Sequence, residues 1–324
     1  MTRAIRFTRT GGPEVLSLEE VALPEPKGGE AWVRQQAIGV NFIDTYHRSG
    51  LYPLPLPSGL GSEAAGVVER VGAGVTSIRV GERVAYVASG APAAYAEAAI
   101  VPADRLVPLP DDISDDVAAA ALLKGMTAEF LIRRAFPVVA GQTVLFHAAA
   151  GGVGSIACQW LKTLGVRVIG TVGSQAKVQL AKQNGCEEVI VLGDEPFFER
   201  VRELTAGQGV PVVYDSIGKT TFMGSLRCLA PRGMLVCFGN ASGKPEPFDI
   251  SLLAQNGSLY LTRPTLHSYV ATREALLASA NLLFQSIRDG LRIEISQRFP
   301  LADAANAHRA LESRSTTGST LLTV

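Results

Sequence analysis

The sequence predicts an α/β protein with a barrel-like β domain of short strands and a doubly wound parallel sheet. Three observations predict it. Turn signals and short apolar alternations crowd residues 1–110. A strand–helix–strand rhythm runs from Gln142 to Arg263. Between the first strand and first helix of that rhythm lies a turn made only of small residues, Ala148-Ala149-Ala150-Gly151-Gly152.

In the β part, Ala31-Trp32-Val33-Arg34-Gln35 and Gly66-Val67-Val68-Glu69-Arg70-Val71 alternate with a period near two. Gly11-Gly12-Pro13, Pro24-Glu25-Pro26, Gly28-Gly29, Gly72-Ala73-Gly74 and Gly81-Glu82 punctuate them. Short antiparallel strands closing into a small barrel follow from that pattern. Gly61-Ser62-Glu63 and Gly81-Glu82-Arg83 read as structural bends in it. Ala118 to Leu123 and Thr127 to Ala135 are helix formers. The second part then reads in order: strand from Thr143 to His147, helix from Val153 to Leu164, strand from Val166 to Thr171, helix from Gln175 to Asn184. A strand from Glu188 to Leu192, a helix from Pro196 to Thr205 and a strand from Pro211 to Asp215 follow. A helix from Lys219 to Leu229, a strand from Met234 to Phe238 and a sixth strand from Leu259 to Thr262 complete it. Apolar strands alternating with amphipathic helices mean a parallel sheet covered on both faces, with right-handed crossovers. The tail is helical from Thr272 to Asp289 and ends in a strand from Ser319 to Val324 that returns to the first domain.

Bulk properties narrow the function. At roughly 150 residues per domain, 324 residues make about two domains. Hydrophobic residues are 47% and charged residues 19%, which excludes a disordered chain. Thirty basic residues balance thirty acidic ones. No overall positive field exists to gather nucleic acid or an anionic membrane, and neither is expected as a partner. The start, Met1-Thr2-Arg3-Ala4-Ile5-Arg6-Phe7, has no apolar h-region, and Lys124 and Glu129 break the most apolar stretch. Cys158, Cys186, Cys228 and Cys237 are far apart, with no CxxC and no His at ligand spacing. The expectation is a soluble cytoplasmic protein with no metal site.

The small-residue turn carries the chemistry. Small side chains let the backbone approach a pyrophosphate seated on the N–H groups and dipole of the following helix. Laid on G-x-G-x-x-G, the pattern reads Ala149, Gly151 and Gly154, so Ala150, Gly151, Gly152 and Val153 are candidate phosphate contacts. The end of the second strand selects the nucleotide. An acid there holds a ribose 2′-hydroxyl, but this chain reads Thr171-Val172-Gly173-Ser174-Gln175-Ala176-Lys177. Gly173, Ser174 and Lys177 suit a 2′-phosphate, and NADPH is the predicted cofactor.

Further motifs are Gly39-Val40-Asn41-Phe42-Ile43-Asp44, Ser49-Gly50-Leu51-Tyr52-Pro53 and Gly61-Ser62-Glu63-Ala64-Ala65-Gly66. Tyr214-Asp215-Ser216-Ile217-Gly218, Phe238-Gly239-Asn240-Ala241-Ser242-Gly243 and Thr262-Arg263-Pro264 complete the set. Over essentially its whole length the chain resembles the zinc-free quinone oxidoreductase (zeta-crystallin-like) branch of the medium-chain dehydrogenase/reductase superfamily. The resemblance implies a GroES-like catalytic domain over residues 1–124 and 266–324, a Rossmann NADPH-binding domain over 125–265, a cleft between them, and a homodimer or tetramer, of which the homodimer is the expectation. It implies Asn41, Tyr46 and Tyr52 as cleft-lining donors to a quinone oxygen. It places Lys124 and Thr127 near the nicotinamide ribose, with Ser216, Phe238, Gly239, Asn240, Arg263, Pro264 and Thr265 finishing the cofactor site and Arg314 as a second cation for the 2′-phosphate. Leu192 departs from the family, which often has Tyr there.

The zinc dehydrogenases of that superfamily carry a Cys and a His where this chain has the run Val40-Asn41-Phe42 and Ser62-Glu63, and the cysteine-rich zinc lobe is missing. The expected reaction is zinc-independent reduction of a quinone by NADPH. Two alternatives stand beside it. One is an NADPH-dependent enone, enal or enoyl-thioester reductase with Tyr52 as proton donor, the role that related enoyl-thioester reductases give the matching Tyr. The other is a non-catalytic NADPH-binding protein of the lens-crystallin or RNA-binding kind. His47, His147, His267 and His308 receive no chemical role.

Overall fold

A computed structural model of the chain describes residues 1–88, 93–314 and 316–324. It divides into two compact units. One comprises Met1–Met126, Val270–Ile287 and Ile293–Val324; the other comprises Thr127–Tyr269 and Arg288–Arg292.

The first unit is built round the long strand Glu30–Val40. Glu63–Val71, Ala98–Pro102 and Ser319–Thr323 all pair antiparallel with it. Arg83–Val87 and Leu106–Pro108 extend the sheet beyond Glu63–Val71. Register shifts between Trp32 and Val33, and between Gln35 and Ala37, mark bulges that raise local twist and curl the sheet. A small sheet of Ser17–Val21, Thr2–Phe7 and Ser58–Gly59 completes the unit. Val33, Ile38, Val68, Tyr86, Leu106 and Leu322 meet in its core. The C-terminal strand returns as expected, with Thr320 opposite Val40. Its parallel neighbour Ile295–Pro300 was not legible in the sequence, because this edge strand buries no residue fully and lacks an apolar alternation.

Two helices of this unit matter below. Phe42–Ser49 follows the long strand directly and stops at Gly50, whose φ of 82° suits a residue without a Cβ. Ala304–Glu312 buries Ala304, Ala307 and His308. A third helix, Asp115–Phe130, merges the two predicted helical stretches and ends in a π-turn over Leu131–Ala135. Close approach of this helix explains Gly39: a Cβ there would lie 2.2 Å from the Ala119 carbonyl oxygen.

The second unit holds six parallel strands. Numbered along the chain as Thr143–Phe146, Arg167–Val172, Glu188–Val191, Val210–Asp215, Leu229–Cys237 and Tyr260–Thr262, they lie in the order third, second, first, fourth, fifth, sixth. That is the doubly wound arrangement, whose order reverses between the first and fourth strands. Val144, Leu145, Phe146, Val168, Ile169, Val212 and Val213 are all completely buried, as strands covered on both faces require. Three elements differ from expectation. The helix expected from Gln175 to Asn184 is a 3-10 turn over Gln175–Lys177 followed by an α-helix over Val178–Gln183. The helix expected from Lys219 to Leu229 spans only Phe222–Cys228. The fifth strand begins at Leu229 rather than Met234, because a register shift opposite Val210 and Val212 absorbs Pro231, Arg232 and Gly233.

Candidate functional site

Strand ends in the second unit gather most of the candidate cofactor residues. Phe146 is in register with both Gly170 and Tyr214, Asp215 with Cys237, and Val236 with Thr262. The segments that follow these positions therefore leave one edge of the sheet side by side. They carry Ala150 to Val153, Gly173 to Lys177, Ser216, Phe238 to Asn240, and Arg263 to Thr265.

The helix after the first strand is Gly152–Thr163, with Gly151 as its N-cap. The first amide engaged by the helix is Ser155, donating to the Gly151 carbonyl at 2.8 Å. The N–H groups of Gly152, Val153 and Gly154 point out of the helix start, where an anion is favoured by hydrogen bonding and by the dipole. Gly154 is needed for the turn: a Cβ would sit 2.3 Å from the Ala148 carbonyl oxygen and 2.8 Å from the Ala149 Cα. At the second strand end, Ser174 starts a single 3-10 turn, and the Lys177 amide donates back to its carbonyl at 3.1 Å. Gly173 looks onto open space. Lys177 is half-buried, and desolvation lowers its pKa from the ordinary lysine value. An ammonium stripped of part of its water and with no carboxylate on its own turn is suited to a phosphate. Leu192 is half-buried against the sheet core.

Behind these loops a buried polar chain ties three strand ends together. The His147 Nδ1 lies 2.8 Å from the Thr171 hydroxyl and its Nε2 lies 3.0 Å from the Ser225 hydroxyl. Ser225 donates to Asp215 Oδ2 at 3.0 Å, and Thr221 donates to the same carboxylate at 2.8 Å. Oδ1 accepts the amides of Ile217 and Gly218. With Asp215 taking the Ser225 proton, His147 donates through Nε2 and accepts at Nδ1. Burial holds the ring neutral by lowering its pKa. His147 thus has a structural task, fixing the strand ends, which the sequence reading had not assigned.

The first unit holds Asn41, Tyr46, Tyr52, Lys124 and Arg314. Asn41 caps the helix Phe42–Ser49 and is nearly buried, at 5% exposure. Its Nδ2 donates to Glu63 Oε1 at 2.9 Å and makes a longer contact of 3.4 Å to the Gly39 carbonyl. Glu63 is completely buried; it also takes the Lys124 ammonium at 2.8 Å and the Leu123 amide at 2.7 Å. One carboxylate therefore orients two candidate residues, and the sequence reading had treated Glu63 as part of a bend. Tyr46 is buried and Tyr52 half-buried, their rings 5.1 Å apart edge to face, with His47 against Tyr52 at 6.0 Å. Arg314 lies in the turn after Ala304–Glu312 with a φ of 57°. Thr127 belongs to the second unit and is largely buried. Among the described residues, no group of three or more His, Cys, Asp and Glu side chains could hold a metal ion.

Comparison with known proteins agrees with this architecture. Residues 27–111 match the alcohol dehydrogenase GroES-like domain, and residues 152–276 match the zinc-binding dehydrogenase family. A quinone oxidoreductase of Pseudomonas aeruginosa is 55% identical over 99% of both chains. A 2-haloacrylate reductase of Burkholderia is 44% identical over 99% of both. The crystal structure of Escherichia coli quinone oxidoreductase complexed with NADPH superposes with a TM-score of 0.98 at 48% identity, covering 99% of this chain and all of that one. The chain belongs to the quinone oxidoreductase branch of the medium-chain dehydrogenase/reductase superfamily.

Within that branch, the residues overlooked by sequence reasoning are buried ones that hold others in place. Glu63 was findable as a carboxylate opening the apolar run Ala64 to Val68 of the strand Glu63–Val71, since a charge there demands a partner. Asp44, Tyr95 and His308 gave no such signal. Tyr95 lies 51 positions from Asp44 and 213 from His308, and only the fold brings them together.

Proposed function

We propose that this protein is an NADPH:quinone oxidoreductase that works without a metal. The observation that carries the reading is the second strand end: a 3-10 turn bearing Ser174 and a half-buried Lys177, with no acid, beside a helix whose first amides are directed outward. The names of the Pseudomonas aeruginosa and Escherichia coli relatives and the NADPH in the latter's structure support it. Bound NADPH supplies a hydride, and the protein's work is to bind, orient and exclude water. Gly151, Gly152 and Val153, flanked by Ala150, would seat the pyrophosphate, and Ser174 and Lys177 the 2′-phosphate, for which Arg314 is a second candidate cation. Ser216, the run Phe238 to Asn240, the run Arg263 to Thr265, Lys124 and Thr127 would line the rest.

For the acceptor, the assignment falls on residues 1–124 and 266–324, with residues 125–265 holding the cofactor. The Tyr46 and Tyr52 hydroxyls would donate to the quinone oxygen on which charge develops. Asn41 would donate through the amide hydrogen now spent on the long contact to Gly39, while Glu63 keeps the other. Quinones are strong electrophiles, so such hydrogen bonds suffice without a Lewis acid.

A homodimer fits the edge of the parallel sheet. Tyr260–Thr262 pairs on one side only among the described residues, with Tyr260 and Leu261 exposed and Ile250 76% exposed. A second copy related by a two-fold axis would continue the sheet and cover them. A cytoplasmic location accords with four buried cysteines that form no disulfide. No helix among the described residues is long and apolar enough to cross a membrane.

The Burkholderia relative favours a second reading, reduction of an alkene activated by a carbonyl group, with Tyr52 donating the proton. Turnover of NADPH with benzoquinone, naphthoquinone and 2-chloroacrylate separates the two. Faster turnover with quinones is expected; turnover with the acrylate alone would make the second reading the function, and NADPH binding with no turnover would overturn both.

A further inference from the structure

A second buried carboxyl lies directly behind the candidate acceptor residues, and none of the assigned roles uses it. Asp44 is completely buried in the first turn of Phe42–Ser49. Its Oδ2 accepts the backbone N–H of Asn41 at 2.9 Å and the Tyr95 hydroxyl at 3.0 Å. Its Oδ1 accepts the Ser62 hydroxyl at 2.6 Å. The chain continues outward: Tyr95 meets His308 Nε2 at 3.1 Å, and His308 Nδ1 meets Arg48 Nη1 at 3.1 Å. Arg48 closes it with a bidentate pair to Glu312, at 2.5 and 3.0 Å.

The chemistry fixes every direction in this chain. Arg48 can only donate, so His308 accepts at Nδ1 and carries its hydrogen on Nε2. Tyr95 must then accept from His308 and donate to Asp44. The run Arg48 to His308 to Tyr95 to Asp44 is thus a one-way row of donors ending on an ionised carboxylate. Protonated Asp44 would have to reverse the Ser62 bond or waste a donor against donors.

We propose that Asp44 is a positioning residue for the quinone reaction: its ionised carboxylate, held by Tyr95 and Ser62, fixes Asn41 and the helix start that carries Tyr46, and turnover falls when it is protonated. The inference rests on the proposed reductase activity. Asn41 is held twice, its backbone by Asp44 and its side chain by Glu63. Among the described residues, charged and titratable groups face Asp44 from several elements. They are Glu63 with its partner Lys124, Tyr95, Arg48 with its partner Glu312, and His308. Burial raises the Asp44 pKa to about 6, opposed by the Ser62, Asn41 and Tyr95 hydrogen bonds, with Glu63 adding a small upward push. Burial beside the Arg48 charge lowers His308 to about 3, so it stays neutral across the range of interest. The sign follows: Asp44 is ionised above pH 6, and the geometry it maintains is lost as pH falls through that value.

The test is the pH dependence of kcat with NADPH and a naphthoquinone, in wild type, Ser62→Ala, Tyr95→Phe and Ser62→Thr. Wild type should show an acid limb near pH 6. Each of the first two variants removes a bond that favours the ionised carboxyl, so the limb should move up by roughly one pH unit. Ser62→Thr restores the hydroxyl and should return it toward the wild-type position. Asp44→Asn should lose the limb and keep a reduced rate at all pH values, with the fold checked by circular dichroism. A limb that stays put in both Ser62→Ala and Tyr95→Phe, whatever their plateau rates, overturns the proposal. Absence of quinone turnover in wild type at any pH would instead overturn the reductase reading on which it rests.

Discussion

Glu63→Gln and Lys124→Met each break one ion pair, and the pair's burial sets the size of the effect. The Glu63 carboxylate is 0% exposed and the Lys124 side chain 6%, at 2.8 Å. Removing one partner of such a pair leaves the other charge in a poor solvent, a cost of about 3–5 kcal/mol. In Glu63→Gln the single amide oxygen can accept from Asn41 or from the Leu123 N–H, which sit on different carboxylate oxygens, but not from both, so the loss should lie in the middle of that range, about 4 kcal/mol. Lys124→Met leaves the carboxylate with two neutral donors and should cost a similar amount. The double variant leaves no unpaired charge. Its loss should fall short of the sum of the singles by about 2 kcal/mol or more, because contacting residues are not additive. Urea unfolding reads this out. Trp32 and Trp160 are the only tryptophans and lie in different units, so a Trp160→Phe background makes fluorescence report on the unit that holds the pair. Losses that add to within about 0.5 kcal/mol would show that the two charges do not depend on each other and would refute the argument.

Three further outcomes follow from the same geometry. Gly154→Val should fold with a displaced helix start, since its Cβ would overlap the Ala148 carbonyl; NADPH affinity by fluorescence titration should fall at least about tenfold, which at about 1.4 kcal/mol is less than one lost charge-assisted hydrogen bond. Leu261→Glu should turn a dimer into a monomer by light scattering, as it places a carboxylate on the exposed sheet edge; an unchanged mass would remove that edge from the interface. Tyr52→Phe should lower 2-chloroacrylate turnover by about 10²-fold or more if Tyr52 is the proton donor, and quinone turnover far less; equal losses on both, or none on either, would undo that distinction between the substrates.

The fold was legible where the chain's own periodicity speaks. The six strands of the parallel sheet and the C-terminal return strand are apolar runs bounded by turn residues, and each appears within a few positions of its expected place. Ile295–Pro300 and the helix Phe42–Ser49 were not, because neither carries an apolar stripe long enough to distinguish it from a loop. The site divides the same way. Gly151, Gly154, Ser174 and Lys177 could be read locally, since a strand–turn–helix fixes its own geometry. Asp44, Glu63, Tyr95 and His308 owe their significance to burial and to partners supplied by other elements. Leu192 illustrates the difference: its place after the third strand was visible, but not its packing against the sheet core.

The most direct test of the whole account is the ratio of kcat/KM for NADPH to that for NADH, with a quinone acceptor, after exhaustive treatment with a chelator. Full quinone turnover without metal, a ratio well above one, and a fall of about tenfold in that ratio on Lys177→Ala, through KM for NADPH, are expected. Activity abolished by the chelator, or a ratio near one that Lys177→Ala leaves unchanged, would contradict it.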